Sequence, residues 1–239
     1  MDNSVFDICD GKNAVEFVQK RLFEKVDLKY RDFQSALMPT VDKNTVIGVR
    51  TPELRKFAKE IAGTPLSQAF MSVLPHAYYE ENNLHAFLLC GIKNFDKCEK
   101  ELERFLPFVD NWATCDAMTI KAYEKNPSRA GSSSLERLKS DKTYTVRFAI
   151  VTLMKLFTAD NFDKKYSDAV AAVKSDEYYV NAAIAWFFAT LLTKRYSDGL
   201  PYITGNALSK TVHNLAIKKA CESLAIPKER KDYLRTLKI

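Results

Sequence analysis

The sequence predicts an all-α protein built as a solenoid of stacked helical repeats. Five alanines within apolar phrases recur at intervals of 31, 32, 34 and 33 residues along the 239-residue chain: Ala86, Ala117, Ala149, Ala183 and Ala216. A steady period of this length is typical of helical repeats, which stack because one repeat cannot bury its own apolar face. The alternation of apolar and polar residues that marks a strand is absent, although the β-branched residues at 40–49 favour a locally extended segment.

Each repeat consists of two helices. Shorter amphipathic helices are predicted between the alanine-bearing ones, over residues 95–106, 132–139 and 162–173. Two helices in a period of this length make the units HEAT-like and predict an α-α superhelix of about six antiparallel helix pairs. Residues before Ala86 follow the period less regularly. No linker rich in Gly, Ser or Pro divides the chain, and only residues 128–134 are predicted as a loop, so we expect a single domain over residues 1–239.

Residue types suited to helix termini support these helices. Thr51, Pro52 and Glu53 match an N-cap, a first-turn proline and a first-turn acid, and Pro227 opens a later helix in the same way. Polar residues 175–177 lead into the long apolar segment 178–195. Asp110 is placed to cap the helix that follows it.

Positive charge is concentrated at one end of the chain. The formal net charge is +6, and the segment from Lys210 to Ile239 holds eight Lys or Arg against three acidic residues. A basic segment of this kind favours a polyanion such as DNA as a partner. It is equally typical of a solvated pair of terminal helices, and charge alone leaves both interpretations open.

The residue inventory excludes several kinds of site. The five cysteines are odd in number and form no Cys-x-x-Cys pair, and none of the three histidines has metal-ligand spacing. Seven scattered glycines form no phosphate-binding loop. No run of 18 apolar residues and no signal-like start are present. We therefore expect a cytoplasmic protein of bacterial type, without a metal or cofactor.

Four residues stand out when the alanines are used as a helical register. At about 100° per residue, Trp112, Asp116, Arg147 and Trp186 fall within an arc of about 140° on their helices. If the alanine-bearing helices are equivalent, both tryptophans, one acid and one arginine share a face of the superhelix. Each residue also has a structural interpretation, since tryptophans often lie in a core and charged residues often bridge repeats. The joint placement favours a binding face.

The same residues carry a resemblance to a known family. Asn-Trp-Ala-Thr-Cys-Asp at 111–116, Thr-Val-Arg-Phe-Ala-Ile at 145–150 and Ala-Ile-Ala-Trp at 183–186 resemble motifs of the AlkD family. Its members are HEAT-like-repeat DNA glycosylases, also described as DNA alkylation repair enzymes. The segment Ile-Gly-Val-Arg-Thr-Pro at 47–52 resembles the family's Gly-x-x-Thr-Pro helix start. The similarity extends from about Lys29 to the end of the chain.

The resemblance implies a DNA repair hydrolase that cleaves the N-glycosidic bond of N3- or N7-alkylated purines in double-stranded DNA. It assigns Asp116 as the catalytic carboxylate, places Trp112 and Trp186 around the lesion, and directs Arg147 to a phosphate. These residue types suit the chemistry. An alkylated purine is already cationic and leaves without a general acid, so a carboxylate that stabilises the cationic sugar and orients water is sufficient. Tryptophan faces attract the cationic nucleotide, and arginine binds phosphate.

Further DNA contacts are predicted at helix starts and at basic positions. Free backbone N–H groups at a helix N-terminus attract phosphates. The candidates, each of which is also compatible with an ordinary surface or capping role, are Arg50, Thr51, Arg55, Thr143, Tyr144, His213 and Lys218. We expect a monomer that associates with the nucleoid through DNA.

Two alternatives to a glycosylase remain. The resemblance implies that active members use an early helix to hold DNA around the lesion, whereas residues 30–41 match that helix poorly and contain Pro39. Related members without this element bind DNA without clear excision, so a non-catalytic protein that binds DNA structures is the first alternative. A protein-binding scaffold, a common use of helical solenoids, is the second.

Overall fold

The computed structural model of the chain describes residues 8–239, and the first seven residues of the predicted domain lie outside that range. Within it there are 15 α-helices, two short 3₁₀ turns and no strand. The predicted all-α class is confirmed, and the arrangement is compatible with a helical-repeat solenoid.

The chain divides into two compact units, one extending to Lys125 and the other spanning Asn126–Ile239. The single-domain expectation stays a prediction. The first unit contains eight helices within the described residues: α1 (Gly11–Phe23), α2 (Leu28–Leu37), α3 (Thr51–Ile61), α4 (Pro65–Ser72), α5 (Tyr79–Cys90), α6 (Phe95–Phe105), α7 (Trp112–Ala117) and α8 (Lys121–Lys125). The second contains α9 (Pro127–Arg137), α10 (Thr143–Phe157), α11 (Lys164–Ala172), α12 (Tyr178–Lys194), α13 (Tyr196–Thr204), α14 (Lys210–Glu222) and α15 (Lys228–Thr236).

The periodic alanines mark helices that pack closely. They lie on α5, α7, α10, α12 and α14, and four of the five are at most 1% exposed, whereas the one on α7 is half-buried. In the second unit α12 packs against both α10 and α14. A methyl side chain lets two helix backbones approach, and within each unit the alanines mark helices that contact one another, α5 with α7 and α12 with α10 and α14.

The predicted loop at residues 128–134 is wrong, because these residues belong to α9. Pro127 occupies the first turn, where its fixed φ suits a helix and its missing N–H costs no hydrogen bond. Three of the small residues that resemble a loop, Ala130, Gly131 and Ser134, form the buried face of the helix. A Cβ on Gly131 would collide with the Tyr166 ring, so the glycine permits close packing between α9 and α11.

A buried carboxylate holds the segment before α3. Residues 43–45 form a 3₁₀ turn, which interrupts the expected extended backbone of the 40–49 segment between the extended residues Asp42 and Val46. The Glu80 carboxylate on α5 accepts hydrogen bonds from the backbone N–H groups of Ile47, Gly48 and Val49, at 2.8, 2.7 and 3.2 Å. Gly48 has a φ of +99°, and a Cβ there would lie 2.6 Å from the Asp27 carbonyl oxygen. Burial raises the pKa of Glu80, and the three N–H donors act against that rise.

The first unit also contains a pair of neutral histidines, of which His85 is buried and His76 half-buried. His85 is fully buried, and its Nε2 lies 3.0 Å from the Glu101 carboxylate, which only accepts hydrogen bonds. His85 Nε2 therefore donates to Glu101, and His85 Nδ1 accepts from His76 Nε2 at 2.9 Å. Desolvation lowers the pKa of His85, and it lowers the pKa of His76 to about 3.

We expect this pair to make the protein less stable as the pH falls from 7.5 to 5.5. An unfolded chain protonates His76 near pH 6.5, whereas the folded chain keeps it neutral down to about pH 3. The unfolded state thus binds more protons in this interval, and each such proton lowers the free energy of unfolding by up to about 1.4 kcal/mol per pH unit. Urea denaturation at several pH values measures the slope.

The matched variant for this prediction is His76→Gln, whose amide retains a donor for His85 Nδ1. It is expected to show a shallower loss of stability between pH 7.5 and 5.5. Glu80 and Glu81, whose pKa values burial raises, contribute in the opposite direction in both proteins, so the difference between the two slopes isolates the histidine. Equal slopes would contradict the assignment.

Candidate functional site

Helix α7 carries two of the candidate residues and is anchored by buried polar groups. Its N-cap is Asn111, whose Oδ1 accepts from the N–H of Thr114 at 2.8 Å, so the cap lies one residue after the predicted Asp110. Thr114 Oγ1 donates to Asn83 Oδ1 on α5 at 2.8 Å, and both groups are buried. A helix of only six residues has little intrinsic stability, so these bonds fix its position.

Trp112 and Asp116 lie one turn apart on α7, and both are partly buried. The Trp112 indole Nε1–H donates to the Leu37 carbonyl oxygen at 3.1 Å. The ring packs beside a small cluster that includes Met38, Val46 and Tyr79. The structure therefore brings the predicted carboxylate and one predicted tryptophan together, as their i,i+4 spacing requires.

Arg147 and Trp186 belong to the second unit. Arg147 on α10 is buried, and its Nη1 donates to the carbonyl oxygen of Tyr179 in the first turn of α12 at 2.7 Å. Trp186 lies two turns further along α12 and is 37% exposed, between the buried residues Ala185 and Phe187. It lines a groove of about 310 Å³ with Thr190, Thr193, Lys194 and Lys219 among other residues. Trp186 is therefore not a buried core residue. That all four candidate residues share one face stays a prediction.

The candidates around the start of α3 contact α2 and α5. The helix begins at Thr51, with Arg50 as its N-cap. The Arg50 guanidinium donates twice to one Asp27 oxygen, at 2.8 and 3.0 Å, and lies over the Tyr30 ring. A hydrogen bond from the Tyr30 backbone N–H and the Arg50 side chain lower the pKa of Asp27. Arg50 remains exposed, so it is accessible to a phosphate that competes with Asp27.

Two further candidates near α3 have local partners. The Thr51 hydroxyl lies 3.4 Å from the Tyr30 hydroxyl. The exposed Arg55 guanidinium lies 4.1 Å from the centre of the Phe87 ring, a cation–π distance. Both side chains thus contact aromatic residues of the first unit, Thr51 through a hydroxyl and Arg55 through a ring.

The N-termini of α10 and α12 lie together and present aromatic rings. Thr143 and Tyr144 occupy the first turn of α10, which has no side-chain cap. The Tyr144 ring lies 5.8 Å from that of Tyr179, and the Tyr179 ring lies 5.3 Å from that of Tyr178. Tyr178 is 68% exposed. Tyr178 and Tyr179 were not predicted as site residues, although two consecutive aromatic residues directly after a polar helix start could have indicated an aromatic surface there.

His213 does not belong to an exposed surface. It is 1% exposed, and its Nε2 lies 2.8 Å from the Leu237 carbonyl oxygen. The ring therefore contacts the protein interior, and we leave His213 out of the proposed DNA interface. His213 is buried because the face of α14 that carries it is directed towards the residues that follow α15. Lys218 on the same helix is exposed, as a phosphate contact requires.

Two further properties bear on the kind of site present. Residues 8–239 contain no group of three or more His, Cys, Asp or Glu side chains placed to hold a metal ion. None of the helices in this described part of the chain is long and apolar enough to cross a membrane.

Comparison with known proteins identifies the family. A family model described as DNA alkylation repair enzyme matches residues 18–224. A comparison with curated proteins gives no match. The matched range covers most of the chain and includes every candidate site residue. The chain therefore belongs to the DNA alkylation repair enzyme family, and its role lies in DNA repair.

Proposed function

We propose that this protein is a monofunctional DNA glycosylase that hydrolyses the N-glycosidic bond of N3- or N7-alkylated purines in double-stranded DNA. The observation that carries the proposal is α7, where a partly buried carboxylate, Asp116, lies one turn from a partly buried tryptophan, Trp112. A cationic nucleotide is attracted by both an aromatic face and a carboxylate. The short helix is fixed by buried bonds, so the two side chains are held before DNA arrives.

In the proposed reaction, water attacks C1′ of the damaged nucleotide and the bond between C1′ and the purine nitrogen breaks. The bonding electrons leave with the base, which is cationic before cleavage and neutral afterwards. Asp116 stabilises the positive charge that develops on the sugar and orients the water, whose proton passes to the carboxylate or to solvent. The products are a free alkylpurine and an abasic site. No metal or cofactor is needed, because the leaving group carries its own activating charge.

The remaining proposed contacts come from residues of both units. Arg147 binds a backbone phosphate, and Trp186 contacts the damaged nucleotide from its exposed position on α12. The exposed Tyr178 ring adds a surface on which a base or sugar can stack. Arg50, Arg55 and Lys218 add phosphate contacts through exposed cations, and Thr51, Thr143 and Tyr144 add them at helix starts. We also propose that the protein acts as a cytoplasmic monomer on chromosomal DNA.

The early segment bears on the non-catalytic alternative. Residues 28–37 form α2, which ends immediately before Met38 and Pro39, so a helix is present between α1 and α3. The presence of this helix supports the glycosylase proposal, which requires an element there to hold DNA. Base release is the measurement that separates the glycosylase from the DNA-binding alternative.

The direct test is to incubate the protein with duplex DNA that carries 7-methylguanine or 3-methyladenine and to measure the free base by chromatography. We expect release well above spontaneous depurination. Tight binding without release would favour the DNA-structure-binding alternative, and weak binding to every form of DNA would favour the scaffold.

DNA affinity is expected to fall steeply with salt if phosphates are the main contacts. A protein that neutralises six phosphates loses about a thousandfold in affinity between roughly 50 and 200 mM salt, because bound counterions are released. Fluorescence anisotropy with a labelled duplex measures this slope. An affinity that does not change over this range would contradict a DNA interface built on these cations.

A further inference from the structure

Helix α2 is bound to the first unit in an unusual way. Its apolar side chains Leu28, Phe33 and Leu37 are exposed, and the residue that it buries is the amide Gln34. Amphipathic helices normally bury their apolar face. The position of α2 therefore depends on a few polar contacts and on Met38, the buried residue that follows it.

One of these contacts reaches Trp112. The last carbonyl groups of an α-helix have no intrahelical donor and need an outside partner. At the end of α2 the partner of the Leu37 carbonyl is the Trp112 indole N–H, at 3.1 Å. The orientation of the tryptophan is thereby linked to the place where α2 ends.

The end of α2 is held in turn by Gln34 and Tyr79. Gln34 Nε2 lies one turn before the Leu37 carbonyl and donates to the Tyr79 hydroxyl oxygen at 3.3 Å and to the Met38 sulfur at 3.6 Å. Tyr79 begins α5 and is buried, and burial raises its pKa to about 12, so its hydroxyl stays protonated. The adjacent Glu80 fixes the start of α5 to the segment before α3.

We infer that Gln34 and Tyr79 are positioning residues for Trp112. They fix the C-terminal end of α2, and the Leu37 carbonyl there holds the indole at the orientation in which it meets the damaged nucleotide. This inference rests on the proposed function for its consequence in catalysis. The contacts that carry it, from Tyr79 through Gln34 to Leu37 and Trp112, all lie within the first unit.

Two substitutions remove the hydrogen bond between Gln34 and Tyr79, one from each end, with little change of side-chain volume. Gln34→Met deletes the amide, and Tyr79→Phe deletes the hydroxyl. The sequence contains two tryptophans, so Trp186→Phe leaves Trp112 as the single emitter. In that background, acrylamide quenching and steady-state anisotropy report how firmly the Trp112 ring is held. The matched controls are Gln68→Met on α4, an exposed amide, and Tyr78→Phe, the neighbouring tyrosine.

We expect both test variants to raise the acrylamide quenching constant of Trp112 at least about twofold and to lower its anisotropy, whereas both controls leave the two quantities unchanged. In proteins that retain Trp186, the same variants should lower base release roughly fivefold, the effect of losing about 1 kcal/mol of net hydrogen bonding. The two variants share the loss of the bond between Gln34 and Tyr79, whereas Gln34→Met also loses the bond to the Met38 sulfur and Tyr79→Phe the contact with Asn83. The double variant should therefore lose less than the product of the two single effects.

The outcomes separate this inference from the proposed function. Unchanged quenching in folded Gln34→Met and Tyr79→Phe proteins overturns the inference, whatever the activity. If quenching is raised in the variants but the wild-type protein releases no base, the positioning of Trp112 is retained. The glycosylase proposal is then rejected. Raised quenching with unchanged base release overturns the catalytic consequence of the positioning.

Discussion

Asp116→Asn is expected to lower the rate of base release about a hundredfold or more, with DNA affinity nearly unchanged. The amide keeps the shape of the side chain but removes the negative charge that stabilises the cationic sugar. Removing one group that stabilises transition-state charge typically costs a factor of about 10² to 10³ in rate. Single-turnover release of 7-methylguanine from a duplex measures the rate, and anisotropy with the same duplex measures the affinity.

Asp110→Asn is the matched control for this change. Asp110 is an exposed carboxylate six residues earlier that accepts a hydrogen bond from Asn111 Nδ2, outside α7. Its substitution removes the same charge and should leave release within about threefold of wild type. If Asp116→Asn also retained the wild-type rate, the carboxylate would have no catalytic role. If it instead weakened DNA binding and release in parallel, Asp116 would act in binding.

Arg147→Ala is expected to weaken DNA binding about tenfold and to lower base release at subsaturating DNA by the same factor. Loss of a phosphate contact should weaken binding to undamaged and alkylated duplexes equally and reduce the salt dependence of binding by about one unit of slope. Arg147 is buried and donates to the Tyr179 carbonyl, so the melting temperature must be measured in parallel. Anisotropy titrations at several salt concentrations give the slope.

Two further variants make this result interpretable. Arg147→Lys keeps the charge but loses the planar fork of the guanidinium, and it should fall between wild type and alanine. Arg195→Ala removes an arginine of the same unit that pairs with Asp198, and it should leave the salt slope unchanged. A folded Arg147→Ala protein with a wild-type slope would show that the side chain has a structural role only.

The repeat pattern was predictable because it depends on packing that every repeat shares. A small residue at each helix contact recurs with the period, and Ala86, Ala149 and Ala216 are all fully buried. Helix α6, at Phe95–Phe105, ends within one residue of its predicted boundary, because its apolar face and flanking breakers are strong local signals. The relation of Trp112 to Asp116 was also predictable, since i,i+4 spacing within one helix requires no tertiary information.

Other features were not predictable, because they depend on contacts distant in sequence. The burial of His213 arises from the segment around Leu237, and the bond from Trp112 to Leu37 joins residues 75 positions apart. Residues Pro127–Arg137 form a helix despite their loop-like composition, because close packing against Tyr166 requires a small residue at that contact. The composition of a segment indicates how much conformational entropy is lost when the segment becomes ordered. The stabilising free energy that offsets this loss comes from packing against a neighbouring helix.

The carboxylate of Glu80 has a consequence for the order of folding. Its three N–H donors lie 31 to 33 positions earlier in the chain, at Ile47, Gly48 and Val49. A nascent chain that has not yet reached α5 has no acceptor for these groups, so the turn before α3 stays unformed until α5 emerges and docks. Gly48 adds a residue that loses much conformational entropy when it is fixed. Assembly of the first unit therefore depends on a late, non-local contact rather than on helix-by-helix growth from its start.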